Sequence, residues 1–111
     1  MRMENKLTMK KTDVQSSIAL YVKRSFESLD VKGRNIPESI KSVLATIQDK
    51  EYLGAGNYNV MFDIFGTELL ENGDKIENVH YKAICGVNVS SNSEGEPMVE
   101  LNESLILSKQ S

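Results

Sequence analysis

The stretch that decides the fold is residues 58–89, YNVMFDIFGTELLENGDKIENVHYKAICGVNV. Asn72-Gly73 lies near its centre, and this dipeptide is a strong hairpin signal because a type I′ turn needs positive φ at both central residues. With these two residues in the turn, the flanking segments pair as antiparallel strands. The sequence therefore predicts a long antiparallel β-hairpin from Tyr58 to Val89.

The predicted pairing sorts the hairpin's side chains into two faces. One face is apolar, with the pairs Ile64–Tyr81, Phe62–Ala83, Val60–Cys85 and Tyr58–Val87. The other face is mixed, with the pairs Asp63–Lys82, Phe65–His80 and Met61–Ile84. A slip of one residue would exchange the faces, so the apolar set fixes the register. One predicted pair, Glu68 with Glu77, is repulsive, which indicates a turn wider than two residues.

Three other segments fit either a strand or a helix. For Val14–Phe26, the alternation and the β-branched residues favour a strand slightly over a helical stripe through Val14, Ile18 and Val22. For residues 36–47, Pro37 suits a first helical position, whereas a strand would place Val43, Ala45 and Ile47 together. The segment from Pro97 to Leu107 is equally open.

Length and composition indicate one globular domain. The chain has 111 residues, of which 40% are hydrophobic and 26% are charged. We expect a flexible basic tail over residues 1–12 and a single antiparallel-sheet domain over residues 13–111. The N-terminus lacks the apolar region of a signal peptide, and one cysteine cannot form an internal disulfide, so we expect a cytoplasmic protein without membrane insertion.

The charge is unevenly distributed along the chain. Residues 1–12 carry a net charge of +3, whereas residues 51–111 hold three basic and ten acidic side chains, a net charge of −7. The acidic half argues against a nucleic-acid-binding face. It suits a small acidic inhibitor or immunity protein that blocks one specific protein partner.

The residues that usually carry catalysis are sparse. His80 and Cys85 would point to opposite faces of one strand, so they cannot act together as base and nucleophile. The acidic residues near the turn lack the spacing of a calcium-binding loop, and Gly54-Ala55-Gly56 lacks the lysine of a phosphate loop. The sequence therefore predicts a protein that is not an enzyme and that needs no cofactor or metal.

The mixed face of the hairpin is the best candidate for binding. Met61, Phe65 and Ile84 lie on it among polar residues, and such apolar side chains can form an adaptable contact surface. The sequence does not decide which of three partners covers this face: the protein itself, a second copy in a homo-oligomer, or another polypeptide.

The order of the segments resembles the SecB-like chaperone family. Residues 17–27, SIALYVKRSFE, resemble the first strand of that family, and residues 43–47, 58–64 and 81–89 resemble the next three. The resemblance implies an α+β fold with a twisted antiparallel four-stranded sheet and short helical segments, so it favours strands for both N-terminal segments.

The same resemblance implies a function. SecB-like proteins are holdases that bind unfolded or extended chains, commonly as tetramers, in apolar grooves lined by the sheet and a loop-helix region. The residues that match those sheet positions are Tyr58, Met61 and Phe65. The family continues past the acidic loop into a long helix, of which Met98 to Leu107 would supply only the first turns. The resemblance therefore does not decide whether the groove is complete or whether the protein acts in export.

Overall fold

The structure, a computed structural model that describes residues 10–110, is α+β, with one α-helix and seven strands. The helix α1 spans Lys11–Ser25 and is followed by a 3-10 turn, Phe26–Ser28. The strands are β1 (Val31–Lys32), β2 (Ser39–Ile47), β3 (Gly56–Leu69), β4 (Lys75–Ser91), β5 (Pro97–Leu101), β6 (Leu105–Ile106) and β7 (Ser108–Lys109).

The main sheet is antiparallel. Its strands follow the order β2-β3-β4-β5, and β7 pairs with β4 as a fifth strand. A separate parallel pair joins β1 to β6. The prediction of an α+β fold with an antiparallel sheet is confirmed at this level, with one strand more than the four expected.

The predicted hairpin is present as β3 and β4, and its register is the predicted one. Ile64 pairs with Tyr81 and Tyr58 with Val87 on one face, while Asp63 pairs with Lys82 on the other. The apolar face is buried: the side chains of Phe62, Ile64 and Tyr81 are fully inaccessible to solvent. Burial of one face therefore decided the register, as the alternation predicts.

The turn differs from the two-residue turn that Asn72-Gly73 predicts. Leu69 and Lys75 form the last pair, and Gly73, at φ 93°, lies in the wider loop between them. A bulge shifts the register so that Glu68 faces Ile76 and not Glu77. Asn78 adopts a positive φ of 57° within this bulge, a conformation that asparagine tolerates better than most residues. The repulsive pair is thus avoided, as the clash in the simple register indicated.

The prediction of a strand over Val14–Phe26 is wrong, because Lys11–Ser25 form the helix α1. Val14, Ile18 and Val22, at helical spacing, are fully buried, whereas Leu20 is 45% exposed. A strand would have placed Leu20 on the buried side with Val22. The resemblance to a SecB-like first strand therefore does not hold for the conformation of this segment.

The two segments for which helix and strand fitted equally, residues 36–47 and 97–107, contain strands and no helix. Residues Ser39–Ile47 form β2, and Pro97–Leu101 form β5, where the resemblance implied the start of a helix. Residues 1–9 of the expected flexible tail lie outside the described residues, and Lys11 and Thr12 open α1.

The core lies between α1 and one face of the sheet, which we call the core face. The helix contacts both β2 and β5, the strands at opposite ends of the order β2-β3-β4-β5. Leu105 and Leu107 complete the core from the C-terminal segment. The helix thereby covers the core face, and we call the opposite face of the sheet the outer face.

The buried stripe of α1 should hold the helix on the sheet. We expect Ile18→Ala to lower the free energy of unfolding by about 2–5 kcal/mol, because it removes a fully buried side chain and leaves a cavity. The half-exposed neighbour Leu20 is the control, and Leu20→Ala should cost about 0.5 kcal/mol or less. Urea denaturation followed by circular dichroism measures both, and equal losses would contradict this packing.

Candidate functional site

The outer face carries large apolar side chains in contact with solvent. Ile84 on β4 is 65% exposed and Leu44 on β2 is 61% exposed. Because α1 packs against the core face, no helix within residues 10–110 covers these side chains. A single exposed leucine is ordinary in a protein, whereas adjoining apolar side chains that form an exposed patch are the informative exception.

Three apolar side chains of the outer face form a stripe across the sheet. Met61 lies directly opposite Ile84 in the β3–β4 pairing. Leu44 lies opposite Asp63 on the other side of β3, so it is a diagonal neighbour of Met61. We call Leu44, Met61 and Ile84 the apolar stripe. It crosses β2, β3 and β4 at mid-length, where the three strands hold it rigidly.

A charged cluster borders the stripe on the side toward the hairpin turn. Asp63 is hydrogen-bonded to the imidazole of His80, with 2.7 Å between Oδ1 and Nε2, and it lies 4.0 Å from the ammonium nitrogen of Lys82. The rings of His80 and Phe65 are stacked, with centroids 4.5 Å apart. This stacking confirms the prediction that His80 lies beside Phe65 at the surface, and it leaves one face of the Phe65 ring covered.

An amide cluster borders the stripe on the opposite side. The side-chain oxygen of Asn57 accepts hydrogen bonds from the amide groups of Asn88 and Asn102, at 3.0 and 3.1 Å. These three side chains fix the positions of β3, β4 and the segment after β5 relative to one another. The apolar stripe therefore lies between two polar borders that can form hydrogen bonds.

The predicted binding residues fall into two groups. Met61, Phe65 and Ile84 lie together on the outer face, as the predicted register requires. Tyr58 lies on the core face and is only 7% exposed. Its hydroxyl donates to the carbonyl of Gly54 at 2.7 Å and accepts from the amide of Leu53, so its contacts are internal. We therefore leave Tyr58 out of the site.

Sequence reasoning missed Leu44, the third member of the apolar stripe. Residues 36–47 fit a helix as well as a strand, so no face could be assigned to this leucine. A strand would have placed Val43, Ala45 and Ile47 together and Leu44 on the opposite side. All three of those neighbours are buried in the structure, and this alternation was the available signal.

His80 and Cys85, the only histidine and the only cysteine of the sequence, lie on opposite faces of the sheet. Cys85 lies on the core face, fully buried, on the opposite side of β4 from His80. Burial raises the pKa of the Cys85 thiol, and the nearby carboxylate of Glu103 raises it further, whereas a backbone hydrogen bond to Glu103 lowers it less. The described residues contain no group of three acidic, histidine or cysteine side chains that could hold a metal ion.

Comparisons of the chain with protein-family models, with curated proteins and with solved structures find no match. Within residues 10–110, no helix is both long enough and apolar enough to cross a membrane.

The raised pKa and the burial of Cys85 should make its thiol inert in the folded protein. We expect iodoacetamide to alkylate Cys85 at least about a hundredfold more slowly in buffer than in urea, because only rarely opened chains expose it. Mass spectrometry follows the alkylation, and equal rates in buffer and in urea would contradict the buried position.

The thiol of Cys85 ionises at a lower pH in the unfolded chain than in the folded protein, because burial raises its pKa. The contribution of Cys85 to the free energy of unfolding should therefore fall as pH rises above about 8.5.

Proposed function

We propose that the protein binds other polypeptides without catalysing a reaction, and that extended apolar segments of unfolded chains occupy the outer face. The observation that carries this proposal is the apolar stripe, in which Leu44 and Ile84 are exposed and Met61, between them, is half-buried. Burying such side chains against a partner is favourable by roughly 25 cal/mol for each Å² removed from water.

The borders of the stripe suit a polypeptide better than a small apolar ligand. An extended chain carries peptide groups that must keep hydrogen-bonding partners when its side chains are buried. Lys82 can donate to carbonyl groups, and the amide cluster around Asn57 can donate and accept. The outer face is an exposed sheet surface, so it offers contact area without the enclosed cavity that small ligands need.

The SecB-like resemblance supports the same class of function, a holdase that keeps unfolded chains in solution. Three predicted strands of that resemblance correspond to β2, β3 and β4. The helix α1 stands where the resemblance places a first strand, so we carry over the class of client and not the geometry of the family's groove. We further propose a reducing cytoplasmic location, where Cys85 stays a free thiol.

The proposal predicts that aggregation of a denatured client is suppressed by the outer face. Wild-type protein should lower the light scattering of chemically denatured citrate synthase after dilution, and Ile84→Asp should abolish most of this effect. A buried aspartate would lose its hydration without a partner, so apolar segments should no longer bind. Met61→Asp should act in the same direction.

The control is Leu53→Asp, which changes an even more exposed leucine, 74% accessible, in the loop before β3. This variant should suppress aggregation as well as wild type. Circular dichroism and urea denaturation establish that all variants are folded. If folded Ile84→Asp protects the client fully, the outer face is not the binding surface.

A second candidate function, a specific inhibitor of one basic partner, is favoured by the tip of the hairpin. Beyond the bulge, Glu71, Asp74 and Glu77 are exposed around the turn. Leu69 and Ile76, 50% and 43% exposed, lie beside them. Acidic groups around apolar side chains on a projecting hairpin can enter a basic cleft of another protein.

The two candidate functions predict different partners. An inhibitor should capture one partner in stoichiometric amount, release it when salt is raised, and lose it in the triple variant Glu71→Lys, Asp74→Lys, Glu77→Lys. A holdase should retain many unrelated unfolded chains, lose them in Ile84→Asp and keep them in the triple variant. Affinity capture with mass spectrometry distinguishes these results, and recovery of a single salt-sensitive partner would contradict the holdase proposal.

A further inference from the structure

The open edge of the sheet at β2 is a second surface, which adjoins the outer face at Leu44. β2 is the first strand in the order β2-β3-β4-β5 and pairs with β3 alone. The amide of Gln48 donates to Asn59 on β3, at 2.8 Å. Since successive residues of a strand direct their backbone groups to opposite sides, the N–H and C=O groups of Val43, Ala45 and Ile47 point away from β3.

Among residues 10–110, only one of these outward amides has a hydrogen-bond partner. The side-chain oxygen of Gln15 on α1 accepts the N–H of Ile47 at 2.9 Å. Among the described residues, no side chain does the same for Val43 or Ala45. Free backbone groups on an edge strand are a template for pairing with a further strand.

A groove lies beside these free groups, between α1 and β2. Its volume is about 500 Å³, within the range of binding sites in proteins. Small side chains of α1, those of Thr12, Ser16 and Ala19, line one wall and leave the space beside the strand edge unfilled. Two apolar side chains border the groove, Leu20 on the side of α1 and Leu44 on the side of β2, and they are 45% and 61% exposed.

The charge of the groove indicates which partner it fits. Lys23 is the one charged side chain in the lining of this groove, and no acidic side chain of the described residues lines it. The two walls, α1 and β2, together carry four basic residues and one acidic residue, although the whole chain has a net charge of −3. An acidic segment is therefore favoured over a basic one.

We infer that the groove between α1 and β2 is a strand-addition site, where an extended segment with alternating apolar and acidic residues pairs with Val43 and Ala45. The added strand exchanges main-chain hydrogen bonds with the two free residues. Its apolar side chains lie on one side and contact Leu44, and its acidic side chains lie on the opposite side and face α1, where one of them meets Lys23. This inference does not rest on binding at the outer face.

Two other occupants fit less well. Residues 1–9 of this chain precede α1 but carry a net charge of +1, the wrong sign for the groove. A second copy could offer its own edge strand β5, which is short and holds a single acidic residue, Glu100. Both alternatives have distinct outcomes in the experiment below.

The experiment measures binding of two fluorescent peptides, each roughly six residues long, the usual length of a strand. One alternates valine with glutamate and the other alternates valine with lysine. By fluorescence anisotropy, the glutamate peptide should bind at least about tenfold more tightly, and raising the salt to about 1 M, where charges are screened beyond roughly 3 Å, should shrink this difference. Equal affinities, or no binding of either peptide, would overturn the inference.

A matched pair of variants locates the site on α1. Ser16 lines this groove, whereas the adjacent Ser17 lines the groove on the other side of the helix, toward β5. Ser16→Trp should weaken binding of the glutamate peptide at least about tenfold by filling the groove, and Ser17→Trp should change it less than about twofold. Full binding by folded Ser16→Trp, or equal losses in both variants, would overturn the site.

A third variant tests the backbone pairing and covers a failure of Ser16→Trp to fold. Ala45→Pro removes the outward N–H, and proline is tolerated on an edge strand where that group faces away from the sheet. This variant should lose peptide binding, whereas Ile84→Asp should keep it, which separates this site from the outer face. Retained binding in folded Ala45→Pro contradicts strand addition.

Sedimentation and a shortened chain test the two other occupants. Wild type should sediment as the same species as Ser16→Trp. A wild-type oligomer that Ser16→Trp dissociates would show that a second copy fills the groove, and it would overturn the proposed occupant. Tighter peptide binding after removal of residues 1–9 would show that this segment competes for the groove, and it would overturn the inference that the groove is open.

Discussion

The pairing of β3 with β4 is the constraint on which the rest of the structure depends. These two strands hold the largest fully buried side chains of the sheet, Tyr81 and Phe62, and every other strand of the main sheet joins one of them. A slip of one residue would bring Met61 and Ile84 into the core and carry Phe62 and Ala83 to the surface. The cost of that exchange fixes which residues any partner can reach.

The helix α1 decides which surfaces stay open. It covers the core face with Val14, Ile18 and Val22 and reaches both β2 and β5. Because α1 has one apolar stripe and packs it on the core face, it cannot also cover the outer face. Its small residues Ser16 and Ala19 line the groove beside β2 without filling it. The open outer face and the open β2 edge are thus consequences of how a single helix meets the sheet.

The alternation of apolar and polar residues predicts those strand pairs of this fold whose register is set by burial of one face. The register of the hairpin followed from the position of Asn72-Gly73 together with the alternation, and the clash of Glu68 with Glu77 indicated that the turn was wider than two residues. The conformation of α1 could not be predicted in this way. Ile18 and Val22 fit both a strand and a helical stripe, and contact with the sheet decides between them, which is tertiary information.

The candidate site was predictable to a similar extent. Met61, Phe65 and Ile84 were placed on one face by the hairpin register. Leu44 required knowledge that residues 39–47 form a strand, and the groove beside β2 required the position of α1. Tyr58 was carried over from a family resemblance, although the predicted register already placed it on the core face. Contacts that cross between α1 and the sheet leave no signal in the spacing of either segment.

The central claim is that the outer face, and not the core face, receives other polypeptides. Methyl NMR spectra of the labelled protein, recorded with and without a permanently unfolded chain, test it directly. The account predicts shifts or broadening at Leu44, Met61 and Ile84, with the methyl signals of Ile64 and Val60 unchanged. No perturbation of the apolar stripe, or changes confined to the core methyl groups, would contradict it.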